Sequence, residues 1–155
     1  MLATVPDPEL PALSLVDLGI VREVHLEDDG RVHVVLTPTY SGCPATEVIT
    51  QSVCDALDAA GLGPARVSHR LAPAWTTDWI SDAGKEKLLA YGIAPPGPVP
   101  AVASEAVLRI RPRNLACPRC GSLNTERLSA FGSTACKALH RCLACREPFE
   151  HFKPI

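Results

Sequence analysis

Four of the seven cysteines in this 155-residue chain form two C-x-x-C pairs, Cys117-Pro118-Arg119-Cys120 and Cys142-Leu143-Ala144-Cys145, separated by 21 residues. Paired knuckles at this spacing bring four thiolates around one tetrahedral ion, with Gly121 relaxing the turn after the first pair, as in a zinc ribbon. Zinc is the expected ion. A Cys-ligated iron-sulfur cluster is the alternative that four cysteines alone do not exclude. A fifth thiol, Cys136, stands in Phe131-Gly132-Ser133-Thr134-Ala135-Cys136-Lys137. Three readings of it stay open: a replacement ligand, a reactive thiol favoured by Lys137 or His140, or an inert small core residue. His140 and His151 are available as substitute ligands, but a complete set of four cysteines makes that unnecessary.

The other chemistry-bearing cysteine is Cys43, in Thr37-Pro38-Thr39-Tyr40-Ser41-Gly42-Cys43-Pro44-Ala45-Thr46. Here a β-branched run ends, a small-residue turn follows and an amphipathic helix begins. Proline suits the first helical position, so Cys43 is the expected N-cap, where free N–H groups and the dipole favour a thiolate. Glu47, one turn on, works against this, and a half-buried turn residue is the plain alternative. Cys54 falls on the helix stripe with Glu47, Thr50, Gln51 and Asp58, acidic company that disfavours ionisation. His25 and His33 read as exposed strand positions with no ligand role.

Composition narrows the class. With 46% hydrophobic and 21% charged residues, the chain is ordinary for a soluble globular protein of one domain or two small ones. No apolar run approaches the ~18 residues of a membrane span, and Met1 to Leu10 lacks the basic start and apolar core of a secretion signal. A cytoplasmic protein is expected. An odd cysteine count forbids complete pairing and, in that compartment, points to metal or thiol chemistry. Residues 1–93 carry 6 Lys/Arg against 13 Asp/Glu, whereas residues 94–155 carry 9 against 4. The halves therefore differ in sign, which implies two functional surfaces.

The elements that must position these residues follow from periodicity. Asp7-Pro8-Glu9-Leu10-Pro11 is extended or turn-like, and Ser14 can start a short turn. Ile20–Leu26 and Arg31–Thr37 form a hairpin through Asp28-Asp29-Gly30, with Val32, Val34 and Leu36 on one face. Val48, Ile49, Val53, Ala56, Leu57 and Ala60 mark the buried face of a helix that Gly61 ends. Val67, His69 and Leu71 alternate in a third strand, after which Trp75 and Trp79 lead into a helix reaching Tyr91. This order predicts an α/β fold, one layer of helices on a small mixed sheet, over residues 1–93. The uncharged proline-rich stretch 94–104 reads as a linker. Residues 105–155 form a four-cysteine, zinc-ribbon-like β module with strands in Leu123–Phe131 and Ala138–Arg141, too small to fold well without its metal.

Asp7-Pro8-Glu9-Leu10-Pro11, Val16-Asp17-Leu18-Gly19-Ile20-Val21 and Thr39-Tyr40-Ser41-Gly42-Cys43-Pro44 together resemble the SufT-type family of iron-sulfur assembly domains, with Cys43 at that family's signature cysteine. With the C-terminal knuckles, the 131–139 segment and Cys145-Arg146-Glu147-Pro148-Phe149, the chain resembles the PaaD family of phenylacetyl-CoA epoxidase components over nearly its full length. His140 replaces an expected aromatic residue, and the tail ends without a further cysteine. The resemblance implies an accessory role in aerobic phenylacetate breakdown, without catalytic activity of its own. That role would be maturation of iron-sulfur or metal centres in the epoxidase system, with the iron-sulfur reductase as client. On this reading Cys43 is a transient cluster ligand whose neighbourhood Asp7, Glu9 and Asp17 shape, beside a structural zinc at Cys117, Cys120, Cys142 and Cys145. Two rival classes are a thiol-dependent enzyme using Cys43, for which no activating His constellation is evident, and a nucleic-acid-binding ribbon using Arg109, Arg111, Arg113 and Arg119.

Overall fold

The computed structural model describes residues 1–40, 42, 44–99 and 115–155. Cys43 and Arg109, Arg111 and Arg113 lie outside the described residues, as does part of the expected linker. The chain divides into two compact units, Met1–Lys87 and Leu88–Ile155. Both are mixed α/β or β structures built on small sheets, and no helix among the described residues is long and apolar enough to cross a membrane.

In the first unit, strands β1 (Val21–Leu26) and β2 (Val32–Leu36) pair antiparallel as the expected hairpin. Helix α1 (Thr46–Ala59) follows, and β3 (Arg66–His69) returns parallel to β2, closing a β-α-β crossover with strand order β1-β2-β3. Ile49, Val53 and Leu57 form the buried stripe of α1 at i, i+4, i+8. Val48, expected on that face, is exposed, because the stripe is narrower than the apolar pattern.

The helix start also differs from expectation. Ala45 is the N-cap residue and Pro44 sits in the turn before it, so α1 begins three residues after Cys43. The expected single helix from Trp75 to Tyr91 is two elements: a 3-10 turn, Thr77–Trp79, then α2 (Asp82–Ala90). Ile80 is extended between them, and Ser81 starts α2 by accepting the Gly84 N–H on its hydroxyl at 2.9 Å.

The tryptophans are anchored to the segment before β1 and to the start of that strand. Trp75 is buried and donates its indole N–H to the Leu18 carbonyl at 2.9 Å, and the Arg22 guanidinium lies 3.6 Å from the centre of a Trp79 ring. Gly19, at φ +68°, passes so close to Trp79 that a Cβ there would sit 2.6 Å from its carbonyl oxygen. Both the backbone conformation and the space demand glycine.

The second unit is a four-stranded sheet ordered β4-β7-β6-β5, from β4 (Ile93–Ala94), β5 (Thr125–Ser129), β6 (Lys137–Cys142) and β7 (Pro148–Phe152). β5 falls inside the expected Leu123–Phe131 interval, and β6 covers the expected Ala138–Arg141 with one residue more at each end. β7 and the parallel two-residue β4 add to them, and β4 takes up Ala94, the first residue of the expected linker. Ala94, Cys117, Cys142 and Phe149 form one buried cluster of this unit, with Leu115 and Cys145 packed against it, and Ile93, Ala138 and Phe152 are buried besides. The cluster is small, and half of its buried members are cysteines.

Candidate functional site

The two knuckles are built alike. The Cys117 N–H donates to the Ser122 carbonyl at 2.9 Å, and the Cys142 N–H donates to the Glu147 carbonyl, also five residues on, at 3.0 Å. The residue after each second cysteine, Gly121 at φ +72° and Arg146 at φ +67°, is left-handed. Glycine meets that demand freely in the first knuckle, whereas Arg146 is strained by its Cβ.

These turns bring all four sulfurs within 4.8 Å of one another, with Cys117 Sγ 3.8 Å from Cys145 Sγ and Cys120 Sγ 3.6 Å from Cys142 Sγ. Four sulfurs at a Zn–S distance of ~2.3 Å on a tetrahedron stand about 3.8 Å apart. In an iron-sulfur cluster the thiolates are spread over two or more irons and point outward from its centre, so the set would have to stand farther apart. The arrangement fits a single tetrahedral ion.

The thiols are electrostatically poised for a cation. The Cys145 amide leads the influences on Cys142, and with the Ala144 amide it holds that thiol down at about 6 against the opposing effect of burial. The Glu147 amide favours the Cys145 thiolate, but burial and the sulfurs of Cys120, Cys142 and Cys117 push that thiol up to about 12. Cys142 ionises readily and Cys145 then resists, which is the situation a bound dication resolves.

Cys136 is not in this group. It is buried at the head of β6, with its sulfur 3.0 Å from the Thr134 hydroxyl. The Lys137 ammonium, expected beside the thiol, pairs with Glu150 at 2.9 Å. His140 and His151 also stand apart from the four sulfurs. Their rings meet edge to face at 5.5 Å, and His140 stacks on Phe149. Together with Pro95, Pro96 and Leu115 they line a cavity of about 330 Å³. Burial, aided by His140, pushes His151 down to about 4, so it is neutral at physiological pH.

The carboxylates expected around Cys43 have structural partners of their own. Asp7 is buried, and its Oδ1 accepts the N–H groups of Glu9 and Leu10 at 2.9 and 2.8 Å, turning the chain after Pro8. Glu9 is half-buried beside it. Asp17 forms a reciprocal cap with Ser14: its Oδ2 accepts the Ser14 N–H and hydroxyl at 3.0 and 2.8 Å, and its own N–H donates to the Ser14 Oγ at 3.0 Å. Lys87 Nζ reaches the same oxygen at 2.6 Å. Burial alone would raise the Asp17 pKa, but Lys87 and the Ser14 donors hold it at about 2. Cys54 carries a thiol pushed up by burial, Asp58 and Asp55, as its acidic stripe predicts. In the ribbon, the described Arg141 is tied to Glu126 across β5 and β6.

The pairing of His25 with His33 is not evident from either residue's neighbours in the chain. The two are symmetric about Asp29, so the hairpin register is the signal that finds them. That register places them directly opposite each other.

Comparison with known proteins covers both units. Residues 1–68 match a family model described as iron-sulfur cluster assembly protein, and residues 102–153 match one described as the PaaD zinc beta ribbon domain. A protein of Escherichia coli K12, provisionally named as a subunit of 1,2-phenylacetyl-CoA epoxidase, is 47% identical over 155 residues, all of this chain and 90% of that protein. The Fe-S protein maturation auxiliary factor YitW of Bacillus subtilis is 37% identical over 59% of this chain and 87% of its own. Among solved structures, a crystal structure of a domain of unknown function from Bacillus anthracis superposes with a TM-score of 0.51 at 28% identity, covering 56% of this chain and 83% of that one.

Proposed function

This chain belongs to the PaaD family, and from that premise we propose that it is an accessory factor for iron-sulfur maturation in a phenylacetyl-CoA epoxidase system of the cytoplasm. The observation that carries the reading is the union in one chain of an iron-sulfur assembly domain and a ribbon of the PaaD type, with an epoxidase-named relative matching the chain from end to end. It turns over no substrate itself.

The division of labour is as follows. Residues 1–93 act as the assembly domain, with Cys43 as the transient ligand for iron or a cluster, which is cargo rather than a resident group. Asp7 and Asp17 serve it indirectly, by fixing the two turns that frame the N-terminal segment, and Glu9 sits beside the first of them. Residues 105–155 recognise the client. Cys117, Cys120, Cys142 and Cys145 hold one structural zinc there, which supplies the folding energy that a small cysteine-rich core lacks. The iron-sulfur reductase of the epoxidase is the client.

The test is to purify that reductase from phenylacetate-grown cells with and without this protein, and to measure iron and acid-labile sulfide. The proposal expects a deficient reductase without it. Full loading in its absence, with epoxidation still lost, would move the role to another component of the system.

A further inference from the structure

A second group of ligating side chains lies in the first unit, at the tip of the β1–β2 hairpin. His25 and His33 face each other across the register, with ring centroids 4.7 Å apart. Glu27, two residues beyond His25, comes to the same side. The Nδ1 of His33 is 3.2 Å from His25 Nε2 and 3.4 Å from Glu27 Oε1, and all three ligand atoms lie within 4.8 Å of one another.

The far side of His33 admits two tautomers: when the Ser68 hydroxyl donates to Nε2, Nδ1–H can donate to Glu27 or His25, and when it accepts, Nδ1 is left as a ligand. Its Nε2 is 2.7 Å from the Ser68 hydroxyl oxygen on β3. When Ser68 accepts from Nε2–H, the Nδ1 lone pair is turned toward His25 and Glu27. The His25 Nε2–H can donate to it, but a carboxylate oxygen at 3.4 Å cannot, and the two lone pairs oppose each other. A cation among the three atoms removes that conflict. An imidazole whose non-ligating N–H is held by an oxygen is also the arrangement metal-binding histidines commonly show, since it fixes both tautomer and ring orientation.

We propose that His25 Nε2, His33 Nδ1 and Glu27 Oε1 bind a divalent transition ion of borderline softness. Two imidazoles and one carboxylate suit zinc or ferrous iron and leave further coordination positions open. A cleft of about 470 Å³ lined by His25, Leu26, Glu27, Asp28 and Asp29 adjoins two of the three ligands. Arg66 lies 3.1 Å from Glu27 Oε1, and Arg31 lies 4.0 Å from Oε2. Both oppose a cation, so the site is one for exchangeable ion rather than a structural one. It is separate from the four-cysteine ribbon and does not rest on the function proposed above.

The experiment is a calorimetric titration of zinc chloride into the full chain already holding one equivalent of zinc, with imidazole protons followed in parallel by NMR. A second equivalent is expected, shifting the ring resonances of His25 and His33. Ser68→Ala should weaken it about tenfold, and His25→Gln, His33→Gln and Glu27→Gln should each weaken it more than that. His25 is exposed, so His25→Gln leaves folding intact and decides the matter even if His33→Gln does not fold. Absence of a second equivalent in the wild-type chain overturns the proposal. So does a second equivalent of unchanged affinity in His25→Gln, which would assign the zinc to a thiol.

Discussion

Replacing Asp17 by Asn tests whether this carboxylate is a structural charge. The amide keeps the shape and leaves an oxygen for the Ser14 donors, while its NH₂ faces the Ser81 hydroxyl, now 3.4 Å from Oδ1. What is lost is the negative charge that Lys87 and Ser14 stabilise. In the folded chain this carboxyl is lowered from 3.8 to about 2, and at ~1.4 kcal/mol per pKa unit that difference is worth about 2 kcal/mol. Lys87 is half-exposed and its share is screened, so this is the upper end. Trp75 and Trp79, the chain's two tryptophans, both lie in the Met1–Lys87 unit, and urea unfolding followed by tryptophan fluorescence therefore reads that unit. A folded pKa below the unfolded one means the contribution is complete above the unfolded value and disappears as pH falls through the folded value. The difference between wild type and Asp17→Asn should be about 2 kcal/mol at pH 7 and roughly half that at pH 3. A difference under ~0.5 kcal/mol at pH 7, or one that stays constant at pH 3, would refute the argument.

The ribbon supports three further expectations. Cys117→Ser, Cys120→Ser, Cys142→Ser and Cys145→Ser should each release the metal and unfold mainly the Leu88–Ile155 unit, read as lost metal stoichiometry and faster hydrogen exchange in strands β4 to β7 but not in the Met1–Lys87 unit. Cys136→Ser should keep its zinc, because its sulfur bonds Thr134 and stands outside the four-sulfur group; metal loss equal to that of Cys120→Ser would show the ligand set to be wrong. Arg146→Gly should raise the thermal stability of the zinc-loaded ribbon by about 0.5–1 kcal/mol, since it relieves a left-handed residue that carries a Cβ.

Much of the fold is legible in the sequence because its signals are local. The Asp28-Asp29-Gly30 turn, the apolar stripe of α1 and the C-x-x-C pairs each depend on neighbours a few residues apart, and all three appear. What escapes depends on contacts remote in sequence or on competition between signals. β7 carries Phe149 and Phe152 into the ribbon core, but with charged and polar residues between them it shows no clean strand pattern. The start of α1 lies later than expected because proline at a first helical turn and proline in a preceding turn look alike in sequence. Asp17 reads as a residue shaping the neighbourhood of Cys43, and the cap it forms with Ser14, closed by a lysine seventy residues away, is a contact no local pattern announces. The His25–His33 pair becomes visible only once two strands are laid in register.

The most direct test of the account is Cys43→Ser, which removes a soft, ionisable sulfur and leaves a small polar residue of similar size. Cells dependent on phenylacetate and carrying this variant should accumulate the protein with its zinc in place, while the epoxidase reductase purified from them is deficient in iron and sulfide. Cys54→Ser, as the control, should change neither. A fully loaded reductase and normal growth with Cys43→Ser would contradict the account and leave Cys43 as a turn residue.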